Sequence, residues 1–180
     1  MARKFSADDI ISQNLIKSSV QRGIKAAVSD CVRGVSGDPL QIVGQFPAFK
    51  ATIDAILPKK GQIILAKCQD HLSLLLVGGE ITFFQKRDGP WIPSLRLIHK
   101  CKSDRCLMIV LVADPSMMRK MQVDKGALKF ILRGSNVMCP GLTSAGGAMD
   151  DVDRGEVVIL VDGREHACAV GVTTMSTNEM

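Results

Sequence analysis

Three short apolar runs separated by turn chemistry constrain this fold more than any other part of the chain. QIILAK (62–67), HLSLLLV (71–77) and EITFFQ (80–85) are of strand length, and Gly78-Gly79 stands between the second and third. Paired glycines accept the positive backbone angles of a two-residue hairpin at little steric cost. The segment predicts an antiparallel meander. KRDGP (86–90) supplies the next turn, and WIPSLRLIHK (91–100) is expected to return as a further strand.

Helices are expected before the meander. From Asn14 to Val32, apolar residues fall at 16, 20, 24, 28 and 32, widened by Ala27 and Cys31, which places them on one side of a helix. RGVSGDPL (33–40) reads as a loop. A second helix is expected from Pro47, presenting Phe49, Ile53, Ile56 and Leu57 inward until Pro58 ends it. Helices followed by strands indicate an α+β domain.

Beyond CKSDRCLMIVLVADPSMMRKMQ (101–122), where a domain boundary is expected, the pattern resumes. VDKGALKFILRG (123–134) is helical, with Ala127, Leu128 and Ile131 inward and Gly134 suited to the C-terminal cap. SNVMC reads as a strand ended by Pro140-Gly141, and PGLTSAGGAMDDVDRG as a long loop. EVVILVD (156–162) and HACAVGVTTM (166–175) form a hairpin around Gly163. The expected division is 1–102 and 103–180, with 101–121 unusual.

The charge is uneven. Up to Gln122 there are 18 Lys+Arg against 10 Asp+Glu, net +8; from Val123 there are 5 against 8, net −3. An anionic partner therefore fits the first part better. MARKFSADDIISQ lacks an apolar stretch of signal-peptide length, and CLMIVLVA (106–113) is far shorter than a membrane span. Six scattered cysteines (31, 68, 101, 106, 139, 168) do not make a secreted disulfide framework. A cytoplasmic setting without membrane contact is expected.

Few residues suggest chemistry. Cys68 and His71 have a usable zinc interval, but no C-x-x-C knuckle occurs and the cysteines mostly fall inside apolar patterns. Cys139 would need a base and a lowered pKa to act as a nucleophile, and none of the histidines (71, 99, 166) lies in a catalytic signature. No phosphate-cradling or dinucleotide-binding loop is present. Asp150, Asp151, Asp153 and Glu156 lack the ligand order of an EF-hand and read as a solvated loop. The expectation is a non-enzyme with no catalytic residue, metal or cofactor. Lys125, Lys129 and Arg133 form a basic helix edge that suits either a phosphate backbone or ordinary solvent.

The residues of VDKGALKFILRGSNVMCPGLTS (123–144) resemble the signature of the PUA domain, a small RNA-binding β-barrel: Asp124, Gly126, Ala127, Gly134, Met138, Pro140 and Gly141 occupy its positions. With QFP (45–47), LPKK (57–60), GEITFFQKRDGPWIPSLRLIHK (79–100) and HACAVGV (166–172), the chain resembles the malignant T-cell-amplified sequence protein family. That resemblance implies an N-terminal α+β domain followed by a PUA-type β-barrel with a helix. The barrel is expected to be open unless an inserted strand such as 106–112 replaces the usual closing one. Segments 29–41 and 101–118 are longer than the family usually has.

The family's function implies an RNA-binding translation factor. It would act with a density-regulated-like partner on the small ribosomal subunit, in tRNA release and recycling, reinitiation and non-standard initiation. The partners are then that protein, the subunit, rRNA and tRNA. Its RNA-binding residues in the PUA domain would be Lys125, Lys129, Arg133, Asn136, Pro140, Gly141 and Leu142. Ribosome contact is expected from Lys59, Lys60, Lys86, Arg87 and Arg96, clustered at strand ends and turns. The competing reading is a protein-interaction adaptor with little direct RNA binding.

Overall fold

The computed structural model describes residues 7–33, 56–58, 62–103 and 118–180. Lys59, Lys60, most of the expected second helix and nearly all of 101–118 lie outside the described residues.

The meander forms as its turn chemistry requires. β1 (Ile10–Leu15), β2 (Ile63–Cys68), β3 (Leu72–Val77), β4 (Glu80–Lys86) and β5 (Ile92–Pro93) make one antiparallel sheet in that order. Gly78 and Gly79 connect β3 to β4 with φ of +59° and +82°, the signs a primed hairpin turn demands. Helix α1 (Ser18–Arg33) packs Ile24 and Val28 into the core below this sheet. Ile56 and Leu57 join the same core, as expected for them.

Two expectations change in this half. The helix does not begin near Asn14: Asn14 belongs to β1, where it pairs with Leu65, and Val20 of the expected stripe is exposed. Cross-strand pairing decides the start, because six residues ahead of Ile16 complete the edge of a sheet formed far along the chain. WIPSLRLIHK is also not one strand. β5 stops at Pro93, and helix α2 (Leu95–Ser103) follows. Ser94 makes the switch: its hydroxyl accepts the Leu97 N–H at 3.1 Å and its carbonyl the Ile98 N–H at 3.2 Å. This N-capping starts the helix, and Leu97 and Ile98 fall inward.

In the C-terminal half, β6 (Arg119–Gln122), β7 (Ala148–Met149), β8 (Val157–Val161) and β9 (Ala167–Val172) form a sheet in the order β7-β6-β8-β9. β6 runs parallel to β8; the other pairs are antiparallel. Among the described residues the sheet does not close into a barrel. Helices α3 (Lys125–Ile131) and α4 (Pro140–Thr143) cover one face.

SNVMC is not a strand: 135–138 is irregular backbone, and Pro140 opens α4 instead of ending a strand. Proline suits a first helical position because no N–H partner is needed there. The expected loop 140–155 therefore contains both α4 and β7.

All of β8 is buried. Val157, Ile159 and Val161 face the core that holds Ile24, Leu75, Phe83 and Trp91, while Val158 and Leu160 face Met121, Ile131 and Leu142. Alternation along one strand thus serves two cores. His99 of α2 adds a polar tie, donating from Nε2 to the Ala167 carbonyl of β9 at 2.8 Å.

Candidate nucleic-acid interface

The candidate site is built on the sequence Asp-Lys-Gly-Ala that starts α3. Asp124 caps the helix: one carboxylate oxygen accepts the Ala127 N–H at 2.6 Å and the other accepts the Ser144 hydroxyl at 2.7 Å. Its own N–H donates to the Gly141 carbonyl at 3.0 Å. The start of α3 is thereby tied to both ends of α4. Small residues let the two helices meet, since a Cβ on Gly141 would lie 2.9 Å from the Ala127 Cβ. Behind them, a Cβ on Gly147 would fall 2.2 Å from the Leu142 carbonyl oxygen.

These bonds hold the Asp124 carboxyl below the usual carboxylate range, with the Ser144 hydroxyl the largest cause and the Ala127 amide next. A carboxylate with a depressed folded-state pKa stabilises the fold above its unfolded value of 3.8, and this is lost as pH falls through the folded value. Asp124→Ala is therefore expected to unfold more readily than the parent at neutral pH. The gap should close in acid once the parent carboxyl protonates. Denaturant titrations across the acid range measure this, and a gap independent of pH would contradict it.

Between α3, the 135–138 backbone and the start of α4 lies an open groove of about 610 Å³. Ala127, Ile131 and Val137 are among its apolar lining residues. Lys129, Phe130 and Met138 also line it, and Phe130 and Met138 are 51% and 72% exposed. The Lys129 ammonium sits 5.0 Å from the Phe130 ring centroid, within cation–π range. A mostly apolar trough with an exposed aromatic and a cation can stack a base and meet its phosphate.

Four of the residues expected at this site, Lys129, Asn136, Pro140 and Gly141, line the groove together. Lys125 and Arg133 are exposed but outside its lining. Arg133 lies beyond the end of α3, its N–H donating to the Phe130 carbonyl at 3.1 Å. Leu142 is committed to the core at 5% exposure, so its side chain is placed for packing. Sequence reasoning missed Phe130, Ser135 and Met138 as lining residues; an aromatic directly beside Lys129 was the available signal.

The expected N-terminal contacts do not form one cluster. Lys86 and Arg87 sit at the far end of β4, where the Arg87 N–H donates to the His71 carbonyl at 2.8 Å. Asp70, His71 and Arg87 all adopt left-handed backbone there, with φ of 59°, 56° and 54°. Arg96 is instead on α2, a helix and not a strand end, and acts on Glu80 at the opposite end of β4. Seven strand residues separate those ends, roughly 20 Å. Glu80 also pairs with Lys100, whose hydrogen bond is the first cause of its lowered pKa.

No group of three metal-ligating side chains occurs among the described residues. Cys68 is buried, and that burial raises its pKa, the reverse of what a reactive thiol needs. No described helix is long and apolar enough to cross a membrane.

Comparison with known proteins places this geometry. Residues 5–101 match the Pre-PUA-like domain family and residues 119–180 the PUA domain family. A Drosophila melanogaster protein named malignant T-cell-amplified sequence 1 homolog is 44% identical over 183 residues, covering 100% of this chain and 86% of its own length. Translation machinery-associated protein 20 of Schizosaccharomyces pombe is 41% identical with the same coverage. Among solved structures, a hypothetical protein from Pyrococcus horikoshii superposes with a TM-score of 0.62 at 19% identity, covering 93% of this chain and 85% of that one. A PUA domain protein from Aeropyrum pernix gives 0.58 at 16% identity, over 93% and 75%. These likenesses extend the fold to both halves, and the relatives share the whole chain: it belongs to the malignant T-cell-amplified sequence protein family, with a Pre-PUA and a PUA domain.

Proposed function

We propose that this chain is a non-enzymatic, cytoplasmic RNA-binding translation factor. It acts with a density-regulated-like partner on the small ribosomal subunit, in tRNA release and recycling, reinitiation and non-standard initiation. The observation that carries the reading is the groove between α3 and α4, an apolar trough rimmed by Lys129, Phe130 and Met138 within the signature segment. The name of the fission-yeast relative, translation machinery-associated protein 20, supports the ribosomal setting.

In this reading the groove, with Lys125, Lys129, Arg133, Asn136, Pro140 and Gly141 around it, meets single-stranded RNA such as a tRNA end. The tip carrying Lys86 and Arg87 meets rRNA, with Lys59, Lys60 and Arg96 as further contacts. Co-sedimentation with purified small subunits, with and without the partner, tests it. Lys86→Glu with Arg87→Glu is expected to weaken binding about tenfold or more and to flatten its salt dependence. Binding unchanged across a salt titration would remove the tip from the interface. The adaptor reading draws on the net −3 charge after Val123. It would be favoured by partner capture that persists after nuclease treatment, with no RNA-dependent subunit signal.

A further inference from the structure

The two ends of the β2–β3–β4 meander meet the same backbone demand with different residues. At the β3–β4 turn the positive φ angles fall on Gly78 and Gly79, with nothing within 4 Å of either Cβ position, so conformation and not crowding calls for glycine there. At the opposite end they fall on Asp70, His71 and Arg87. Aspartate and histidine enter the left-handed region more readily than most residues; arginine does not. Arg87 is the first central residue of the 86–89 turn, closed by the Gly89 N–H on the Lys86 carbonyl at 3.2 Å. It alone in that turn has positive φ, a place that glycine usually takes in hairpin turns. Strain of this kind gathers at functional positions. No side-chain bond within the molecule accounts for it: Asp70, His71 and Arg87 have no side-chain hydrogen-bond or ion-pair partner among the described residues, whereas Glu165, the other non-glycine residue with positive φ, is engaged.

We propose that His71 is a further RNA contact, paired with Arg87 so that the imidazole and the guanidinium grip one backbone phosphate of rRNA. The inference rests on the reading that this tip meets rRNA, and adds to it a residue and a geometry. His71 and Arg87 face each other one step beyond the Leu72–Lys86 pair, joined by the Arg87 N–H on the His71 carbonyl at 2.8 Å. Two exposed side-chain donors therefore leave the surface from adjoining backbone. An imidazole offers an N–H in either tautomer, and a guanidinium presents a fork that suits phosphate oxygens. The acidic Asp70 and Asp88 flank the pair, so attraction is confined to a point instead of spreading over a broad basic patch. Glycine at 71 or 87 would relax the backbone and take a donor away.

Glycine variants of the full chain separate strain from contact. Arg87→Gly is expected to raise the denaturation midpoint, and His71→Gly to leave it at or above the parental value, because glycine adopts positive φ freely. Each should nevertheless weaken co-sedimentation with purified small ribosomal subunits roughly threefold or more, and both together about tenfold. His71→Asn keeps a residue that tolerates this backbone but has a shorter reach; it should hold the parental midpoint and still bind more weakly. Gly78→Ala, at the opposite end, should do the reverse, lowering the midpoint with binding unchanged. Glycine variants that bind like the parent, or that lose stability, would overturn the proposal. Binding that falls for Lys86→Glu with Arg87→Glu but not for His71→Gly or His71→Asn would overturn it alone and leave the tip in the interface. A parent protein that does not bind the subunits would overturn it together with the proposed function.

Discussion

Gly147→Ala is expected to destabilise the C-terminal half by roughly 3 kcal/mol or more, since backbone must move to admit the new atom. The added Cβ would lie 2.2 Å from the Leu142 carbonyl oxygen, 2.5 Å from its carbonyl carbon and 3.0 Å from its Cα. None of these can swing away as a flexible side chain could. Relief would have to come from α4, which is fixed on one side by the Leu142 side chain in the core and on the other by Gly141 against Ala127. The Gly147 N–H also donates to the Ser144 carbonyl at 2.8 Å, so the segment cannot swing out without losing that bond. Gly171→Ala is the control, because nothing lies within 4 Å of its Cβ position. Chemical denaturation of both variants reads the difference, and equal midpoints would disprove the account.

Neutralising the basic residues on the groove helix and just past its end is expected to have the largest effect on binding. With Lys125, Lys129 and Arg133 all replaced by Gln, RNA affinity should fall roughly 100-fold or more near 0.1 M salt, where each phosphate contact contributes close to a power of ten. The slope of affinity against salt should become shallower by about one per residue that meets a phosphate. The three are distinguishable singly. Lys129 lines the groove and lies over Phe130, so its loss should also weaken stacking. Lys125 and Arg133 lie outside the lining and should act through charge alone. Single-stranded RNA titrated at several salt concentrations provides the measurement. A triple variant with the parental slope would sink the assignment of this face.

The parts of the fold that could be read from sequence were those decided locally. Gly78-Gly79 dictates its own turn, and α3 has an N-cap at Asp124 and an apolar stripe within one segment. The residues 94–100, expected to continue a strand, were misread because LRLIHK satisfies a strand period and a helix period at once. A capping hydroxyl on Ser94 and burial of the adjacent pair Leu97-Ile98 settle it, and burial is a tertiary fact. The start of β1 was hidden for a related reason: its partner, β2, lies far along the chain.

Of the residues expected at the candidate site, Pro140 and Gly141 belong to the signature and Lys129 and Asn136 came from the resemblance; all four line the groove. The signature itself now has a physical content: capping by Asp124, and room for Ala127 against Gly141. Whether a side chain points into the trough or the core was not legible. Leu142 and Met138 look alike in sequence, yet one is buried and the other 72% exposed.

β8 serves as a party wall between the two halves. Its odd-numbered valines and isoleucine pack with residues of the first half and its even-numbered residues with the helices of its own half, so the halves cannot tilt apart without opening the core they share. On the proposed reading, that shared core sets the span between the Lys86–Arg87 tip and the α3–α4 groove, and an RNA meeting both would have to present its contacts at that spacing.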